Sequence, residues 1–326
     1  MRAGVRHVAV DDEGAGQRLD RQLARLLPGV PRSRLFRLIR RGEVRVNGRR
    51  AQPEQRLKPG DDLRLPPVHE APAAGPVRAP RELVDRIVQA VISEDERLIV
   101  IDKPAGVAVH GGSGVGFGVI EALRAARPGE ELELVHRLDR DTSGCLLVAR
   151  RRSVLRTLHA LLREGGGFDK RYLALVQGHW NLGARRIEAP LRTDLRVGGE
   201  RTVRVHASGK AAVSRFRPVQ FFGREATLVE VGIDTGRTHQ IRVHAAYAGH
   251  PVAGDPKYGE AAFNALMRAH GLGRMFLHAH SVSFVWPESG VEFSVNAPLP
   301  SELGSVLDRL ASATAGRRRA RRAQGT

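Results

Sequence analysis

Asp139 lies between two arginines in His136-Arg137-Leu-Asp139-Arg140-Asp141-Thr-Ser-Gly144, with Leu132, Leu134 and Val135 before it and Cys145-Leu-Leu-Val148 after. A carboxylate so flanked stays ionised, as a nucleophile or a base must. A charged loop between two buried strands is also where reacting groups are commonly held on a rigid scaffold. Side-chain hydrogen bonding would by itself make a turn of Asp141-Thr-Ser-Gly144. It gives no reason for an aspartate between two arginines in an apolar region. A second cluster runs Asp234-Thr-Gly236-Arg237-Thr-His239-Gln240-Ile241-Arg242-Val-His244. It reads as a strand end followed by a helix whose first turns carry Arg237, His239, Gln240 and Arg242. Such an N-terminus suits an anion or a nucleotide.

His239 and His244 are five apart rather than four, which disfavours a helical zinc pair. His278 and His280 alternate on a strand and read as core or loop-facing, so no metal site is expected. Three further pieces belong with the two clusters: Asp102-Lys103-Pro104-Ala-Gly106-Val-Ala-Val-His110, Lys170-Arg-Tyr172, and Gly249-His-Pro-Val-Ala-Gly-Asp255-Pro-Lys257-Tyr258-Gly259. The chain has five lysines among its 53 basic residues, and Lys103, Lys170 and Lys257 fall inside these pieces. In so arginine-rich a composition, something other than charge selects them.

The elements that must position these residues are mixed. Segments 97–101, 145–148, 172–176, 227–231 and 276–280 read as strands; 118–126, 152–163, 237–248 and 301–310 read as helices. They do not alternate strictly, so an α+β domain with a mostly antiparallel mixed sheet is expected rather than a doubly wound parallel one. No Gly-x-Gly-x-x-Gly follows a strand and no P-loop occurs, so neither a nucleotide nor another cofactor is expected.

At 326 residues, 41% hydrophobic and 27% charged, the chain has ample material for a core. One cysteine, Cys145, permits no internal disulfide, and no run of about eighteen apolar residues occurs. A cytoplasmic protein without a membrane span is expected. The net charge of +18 asks for a polyanionic partner, and it is concentrated at the ends. Residues 1–80 carry +8, residues 81–310 carry +5, and residues 311–326 carry +5 from five arginines. Five prolines between 66 and 80 favour an extended spacer. The chain divides accordingly into a small domain (1–65), a Pro-rich linker (66–80), a large domain (81–310) and a basic, disordered tail (311–326).

In the small domain, Leu19, Leu23, Leu26 and Leu27 recur at helical spacing until Pro28-Gly29. Ser33 is a good N-cap for a second short helix ending at Gly42. Its Leu35, Leu38 and Ile39 form an apolar stripe, with Arg34, Arg37 and Arg41 opposite and Arg32 just before them. Glu43–Gly48 reads as a strand entering an Asn-Gly turn, and Asp62–Leu65 as a second strand. A lone arginine stripe is usually a solvated face; within a helix–helix–hairpin unit of net +8 it favours phosphate contact. Through Arg18-Leu-Asp20, Ser33–Gly48 and Leu57-Lys-Pro-Gly-Asp61 the unit resembles the small α/β RNA-binding domain of the ribosomal protein S4 type.

Six segments of the large domain, 101–110, 136–144, 170–178, 235–244, 249–259 and 274–284, together resemble the RluA-type family of pseudouridine synthases, in family order. The resemblance implies an isomerase that turns specific uridines into pseudouridine, and within the family it points to large-subunit (23S) ribosomal RNA, free or as an assembly intermediate. It implies that Asp139 is the catalytic carboxylate, that Arg242 pairs with and orients it, and that Tyr172 packs on the flipped uracil and takes part in proton removal. His136, Arg137, Lys103, Arg237, His239, Gln240 and Ile241 are then expected around the substrate, and Arg32, Arg34, Arg37 and Arg41 on the RNA. Asp139 could attack the ribose or the base, or abstract a ribose proton. Nothing forces a dimer, and a monomer is expected. Ile233-Asp234 stand where the family commonly has a proline, and Cys145 where an aliphatic residue is usual. Three other readings compete. One is a tRNA-directed synthase. Another is a non-catalytic RNA-binding assembly protein, which leaves Asp139 unexplained. The third is a Cys145–His136 hydrolase, disfavoured by the apolar run after the cysteine.

Overall fold

The computed structural model describes residues 4–12, 14–27, 30, 32–67, 79–112, 116–164, 167–195 and 201–323. Two compact units divide the chain, Met1–Arg78 and Ala79–Thr326. In the first, strand β1 (Arg6–Ala9), helices α1 (Leu19–Leu26) and α2 (Arg32–Arg40), and strands β2 (Arg45–Val46), β3 (Arg49–Arg50) and β4 (Asp62–Leu65) follow in order. The strands pair as β1-β4-β2-β3. Leu19 and Leu23 of α1 and Leu35 and Ile39 of α2 pack with Leu63 and Leu65, the apolar stripes meeting as their spacing requires. Asn47 and Gly48 both adopt positive φ, the geometry of a tight two-residue hairpin turn. Arg37 and Arg41 are exposed and Arg34 is half-buried; the Arg32 side chain and most of the Pro-rich linker lie outside the described residues.

The second unit opens with helix α3 (Arg81–Gln89), strands β5 (Val91–Glu94) and β6 (Leu98–Lys103), helix α4 (Val119–Ala126), strands β7 (Glu133–Leu134) and β8 (Ser143–Ala149) and helix α5 (Arg152–Glu164). Strands β9 (Phe168–Gln177), β10 (Arg185–Glu188), β11 (Leu191–Leu195), β12 (Arg201–Val205), β13 (Val213–Phe222) and β14 (Ala226–Ile233) follow. Helices α6 (Gln240–Tyr247) and α7 (Ala261–Ala269), strands β15 (Leu277–Val285) and β16 (Glu292–Asn296) and helix α8 (Ser301–Ala323) complete it. A ten-stranded sheet orders as β10-β13-β14-β9-β15-β8-β6-β5, with β16 beside β15 and β7 beside β8. Every pairing among the described strands of this sheet is antiparallel except β8 with β15.

The central strands are apolar on both sides because both faces are covered. Ile99, Ile101, Leu146 and Val148 pack towards α3 and α4. Leu98, Val100, Cys145 and Leu147 pack with Val154 and Leu158 of α5 and with Trp286. Leu303, Val306 and Leu310 of α8 join Phe263 and Met267 of α7 in a third cluster. The α+β class and the mostly antiparallel sheet agree with the sequence reading.

Two expectations change. The basic segment from 311 is not a disordered tail among the described residues; it continues α8 to Ala323. The buried first turns supply the costly nucleus, and each further residue then adds a hydrogen bond. Arg317 also clasps Glu225 through both terminal nitrogens, at 2.7 and 2.9 Å. The helix expected from Arg237 begins instead at Gln240, after a tight turn made by the Gln240 side chain itself.

Candidate active site

Asp139 sits in the loop between β7 and β8, and the loop is held from beneath. Ser143 and Gly144 start β8 in parallel register with His278 and Ala279 of β15. At Gly144 φ is +107°, and an added Cβ would stand 2.2 Å from the Ala279 carbonyl oxygen, so only glycine lets the strands approach here. Arg140 and Asp141 form a tight turn closed by the Thr142 N–H on the Asp139 carbonyl at 3.2 Å, and Ser143-Gly144 pass from it directly into the buried strand. Gly144→Ala is expected to lower the unfolding temperature and distort the loop carrying Asp139; differential scanning calorimetry and a crystal structure of the variant check this.

Arg242, on the first turn of α6, meets Asp139 across 103 positions of sequence: Nη1 donates to Oδ2 at 3.2 Å. The other side of the guanidinium grips Asp255, with Nε to Oδ2 at 2.7 Å and Nη2 to Oδ1 at 2.8 Å. Asp255 is fully buried and also accepts the backbone N–H of Lys257 and of Tyr258. Burial opposes the charge on Arg242, but Asp255 and Asp139 together raise its pKa above the ordinary value. The Tyr258 ring lies 5.1 Å beneath the guanidinium, and its hydroxyl shares a 2.8 Å hydrogen bond with His239 Nδ1. Arg242 is thus immobilised on three sides and presents one donor to Asp139. The second oxygen of Asp139, Oδ1, accepts no hydrogen bond from the described residues and remains available to a ligand.

A cavity of about 240 Å³ opens onto this pair. Tyr172, His136, Ile241 and Lys170 line it, and a wider groove beside it is bounded by Arg137, Arg140 and Lys257. Burial, reinforced by Asp139, pushes the Tyr172 phenol well above its usual range, so it presents a neutral aromatic side chain. Burial drives His136 down to about 3; as a neutral ring it accepts the Leu147 N–H at 3.2 Å. His239, with φ of +55°, borders the cavity with Nε2 3.9 Å from Asp139. Burial holds it below the ordinary imidazole value despite that carboxylate.

Of the residues expected at the site, Asp139, Arg242, Tyr172, His136, Arg137, Arg237, His239, Gln240 and Ile241 all border this cavity. Gln240 has little left to offer a ligand. Its Oε1 accepts the Thr235 hydroxyl and the Arg237 N–H, and its Nε2 donates to Val213 O and Ser214 Oγ. Arg237 lends its Nε to Ala211 O.

Lys103 is a correction. It is fully buried and does not line the cavity; its Nζ donates to the carbonyls of Pro104, Val107 and Arg140 at 2.8–3.0 Å. Burial pulls its pKa to about 7. Serving three carbonyls takes all three ammonium protons, which holds the charge against that pull. The Lys103 bonds to Arg140 and Pro104 tie the Asp139 loop to the end of β6. Lys103→Met is expected to destabilise by about 2–4 kcal/mol in urea unfolding, because it orphans carbonyls, and to leave RNA affinity unchanged.

The hydrolase reading fails as well. Cys145 is 2% exposed in the α5-side core, burial lifts its thiol to about 11, and its Sγ is turned to the carbonyls of His280 and Val295, with no hydrogen bond to His136. Asp255 and Tyr258 went unassigned in the sequence although their segment was singled out. The available signal was an aspartate after a glycine in an otherwise apolar, turn-rich loop.

Residues 97–247 match the family model described as RNA pseudouridylate synthase, and residues 17–63 match the S4 domain. A ribosomal large subunit pseudouridine synthase C from Pasteurella multocida is 48% identical over 308 residues, 94% of each chain. The protein of that name from Escherichia coli K12 is 47% identical over 313 residues, 95% of this chain and 98% of its own. Among solved structures, human RNA pseudouridylate synthase domain containing 1 is 26% identical with a TM-score of 0.54, covering 69% of this chain and 94% of its own. Human RNA pseudouridylate synthase domain containing 4, at 24% identity and a TM-score of 0.57, shares the fold over 70% of this chain and 95% of its own. Near-half identity over almost the full length of both partners leaves no room for a shared fold alone: the chain belongs to the RNA pseudouridylate synthase family.

Proposed function

We propose that the protein isomerises specific uridines to pseudouridine in large-subunit (23S) ribosomal RNA, with Asp139 as the catalytic carboxylate. The observation that carries this reading is the half-used aspartate. One oxygen is fixed by an immobilised arginine, the other accepts no hydrogen bond from the described residues, and the residue lines a cavity walled by an aromatic side chain. The cavity suits a single base taken out of its stack, which must be gripped through its face and its polar edge. Tyr172 supplies the face and Ile241 the apolar packing beside it. Arg137 and Arg140 border the adjoining groove, where the phosphates flanking a flipped nucleotide would lie. The small unit brings Arg34, Arg37 and Arg41, with Arg32, to the RNA backbone and supplies affinity rather than chemistry.

The reaction detaches uracil from ribose, turns it and rejoins it through carbon five. It transfers no electrons to an acceptor and no group to a second molecule, so in this reading the protein works without nucleotide, metal or other cofactor; the same reading takes it as a cytoplasmic monomer. The large-subunit target rests on the near-full-length similarity to proteins that carry that target in their names. Pseudouridine mapping of 23S rRNA from a strain lacking the protein tests the proposal. Discrete sites should vanish, return with the wild-type gene and stay absent with Asp139→Asn. An unchanged 23S map would overturn the ribosomal assignment, and sites lost from tRNA instead would redirect it.

A further inference from the structure

β9 places one more side chain in the cavity, and its charge is unmatched. Alternation along the strand turns Phe168, Lys170 and Tyr172 to the buried side and Asp169 and Arg171 to the other. On that other side the charges are paired: Arg171 Nε donates to Asp169 at 2.7 Å and its Nη1 to Glu230 at 3.3 Å. Lys170 is 7% exposed and lines the cavity with Asp139, His136 and Tyr172. Its ammonium makes no hydrogen bond or ion pair with any described residue. Asp234 acts on it only from beyond contact distance and is itself bound to Arg215. Lys103, fully buried, shows what a structural lysine looks like here: three carbonyls occupy its three protons. An ammonium so largely withdrawn from water, its tip reaching solvent only at the cavity and without such partners, is unfavourable, and folds retain one where a ligand completes it.

Resting on the uridine reading above, we infer that Lys170 is a catalytic residue whose ammonium hydrogen-bonds a carbonyl oxygen of the target uracil and stabilises the negative charge the ring acquires during the reaction. When the bond between N1 and C1′ breaks, its electron pair leaves with the ring and spreads onto O2 and O4. After the ring turns, C5 bonds to C1′, C5 gives up its proton and N1 takes one, so atoms and charge balance over the cycle. Should Asp139 add to the ring instead, the displaced electrons again collect on a carbonyl oxygen. Either course is eased by a cation at the carbonyl edge, and Lys170, beside the β9 tyrosine on the cavity wall, provides one that a bound base would shield from water. A donor aimed at developing charge in a dry site contributes about 10²–10³-fold in rate.

The test uses the full-length protein and an rRNA transcript carrying uridine, 2-thiouridine or 4-thiouridine at the modified position. Lys170→Met is expected to lower kcat by about 10²–10³-fold with KM changed only a few-fold, and Lys170→Arg to recover part of the loss. One sulfur substitution should slow the wild type markedly and leave Lys170→Met indifferent, because sulfur accepts poorly from the ammonium. Lys170→Met should also unfold at or above the wild-type temperature, since it removes a buried unmatched charge. A variant within three-fold of wild type, equal penalties from both sulfur substitutions in both proteins, or a clearly lower unfolding temperature would each overturn the inference. A wild type that converts no uridine would instead sink the uridine reading beneath it.

Discussion

Asp139→Asn is expected to reduce pseudouridine formation by at least about 10⁴-fold while leaving the fold and the affinity for RNA intact. The asparagine fills the same volume, and its oxygen can still accept from Arg242. What disappears is the carboxylate oxygen that Arg242 leaves free, which neither neighbour replaces: His136 is neutral and occupied, and Cys145 is buried among the apolar residues under α5. The unfolding temperature should stay within about 3 °C of wild type, because Asp139 is only partly buried and holds a single hydrogen bond. Single-turnover assays on an rRNA transcript, beside filter binding of the same RNA, measure both halves. Retained turnover would remove the carboxylate from the chemistry, and lost binding would make it an anchor rather than a reactant.

Arg242→Met is expected to hurt activity and stability together. It frees Asp139 and strands Asp255, a fully buried carboxylate, without its bidentate partner. Breaking a buried pair from one side costs about 3–5 kcal/mol, which in a unit of this size lowers the unfolding temperature by about 10 °C. Turnover should fall by about 10³-fold or more. Arg242→Lys keeps the charge but cannot serve both carboxylates with a planar fork, so partial stability with poor turnover is expected. Survival of full activity in either variant would show that Asp139 needs no orienting partner.

The same pair sets an acid limit. Burial alone would raise the pKa of Asp255, but the Arg242 guanidinium and two backbone N–H donors outweigh it and hold the carboxyl below its ordinary 3.8. A group whose folded pKa is depressed stabilises fully above the unfolded value and loses that contribution as pH falls through the folded one. Urea midpoints measured from about pH 6 downwards should therefore decline below about pH 4, and that part of the decline should vanish in Asp255→Asn.

Asp139 and Arg242 were each legible locally, as an aspartate between arginines and as an arginine in a polar run just past a strand; that they pair was implied only by the family resemblance, and the structure brings them to 3.2 Å. The strands around Asp139 were legible because they are apolar on both faces. Lys103 misled because a scarce residue type in a matching segment does not reveal which way its side chain turns, and here it turns into backbone carbonyls. Asp255 stayed hidden for the opposite reason. Its partner is thirteen residues away across a helix and a turn, and no spacing rule reaches over that. The end of α8 was misjudged because composition describes a segment by itself, whereas this helix is nucleated by turns buried upstream.

The parallel contact between β8 and β15 also carries a consequence in time. Asp139 belongs to the strands up to β8, and Arg242 follows those from β9 to β14; in the sheet, β15 is the strand that joins the two sets. A ribosome making this chain completes both halves of the site before it makes the strand that brings them together. In a chain ending short of residue 277 the strand that pairs with both β8 and β9 is missing. The order of synthesis thus leaves the strand that joins these two sets among the last parts of the sheet to be made.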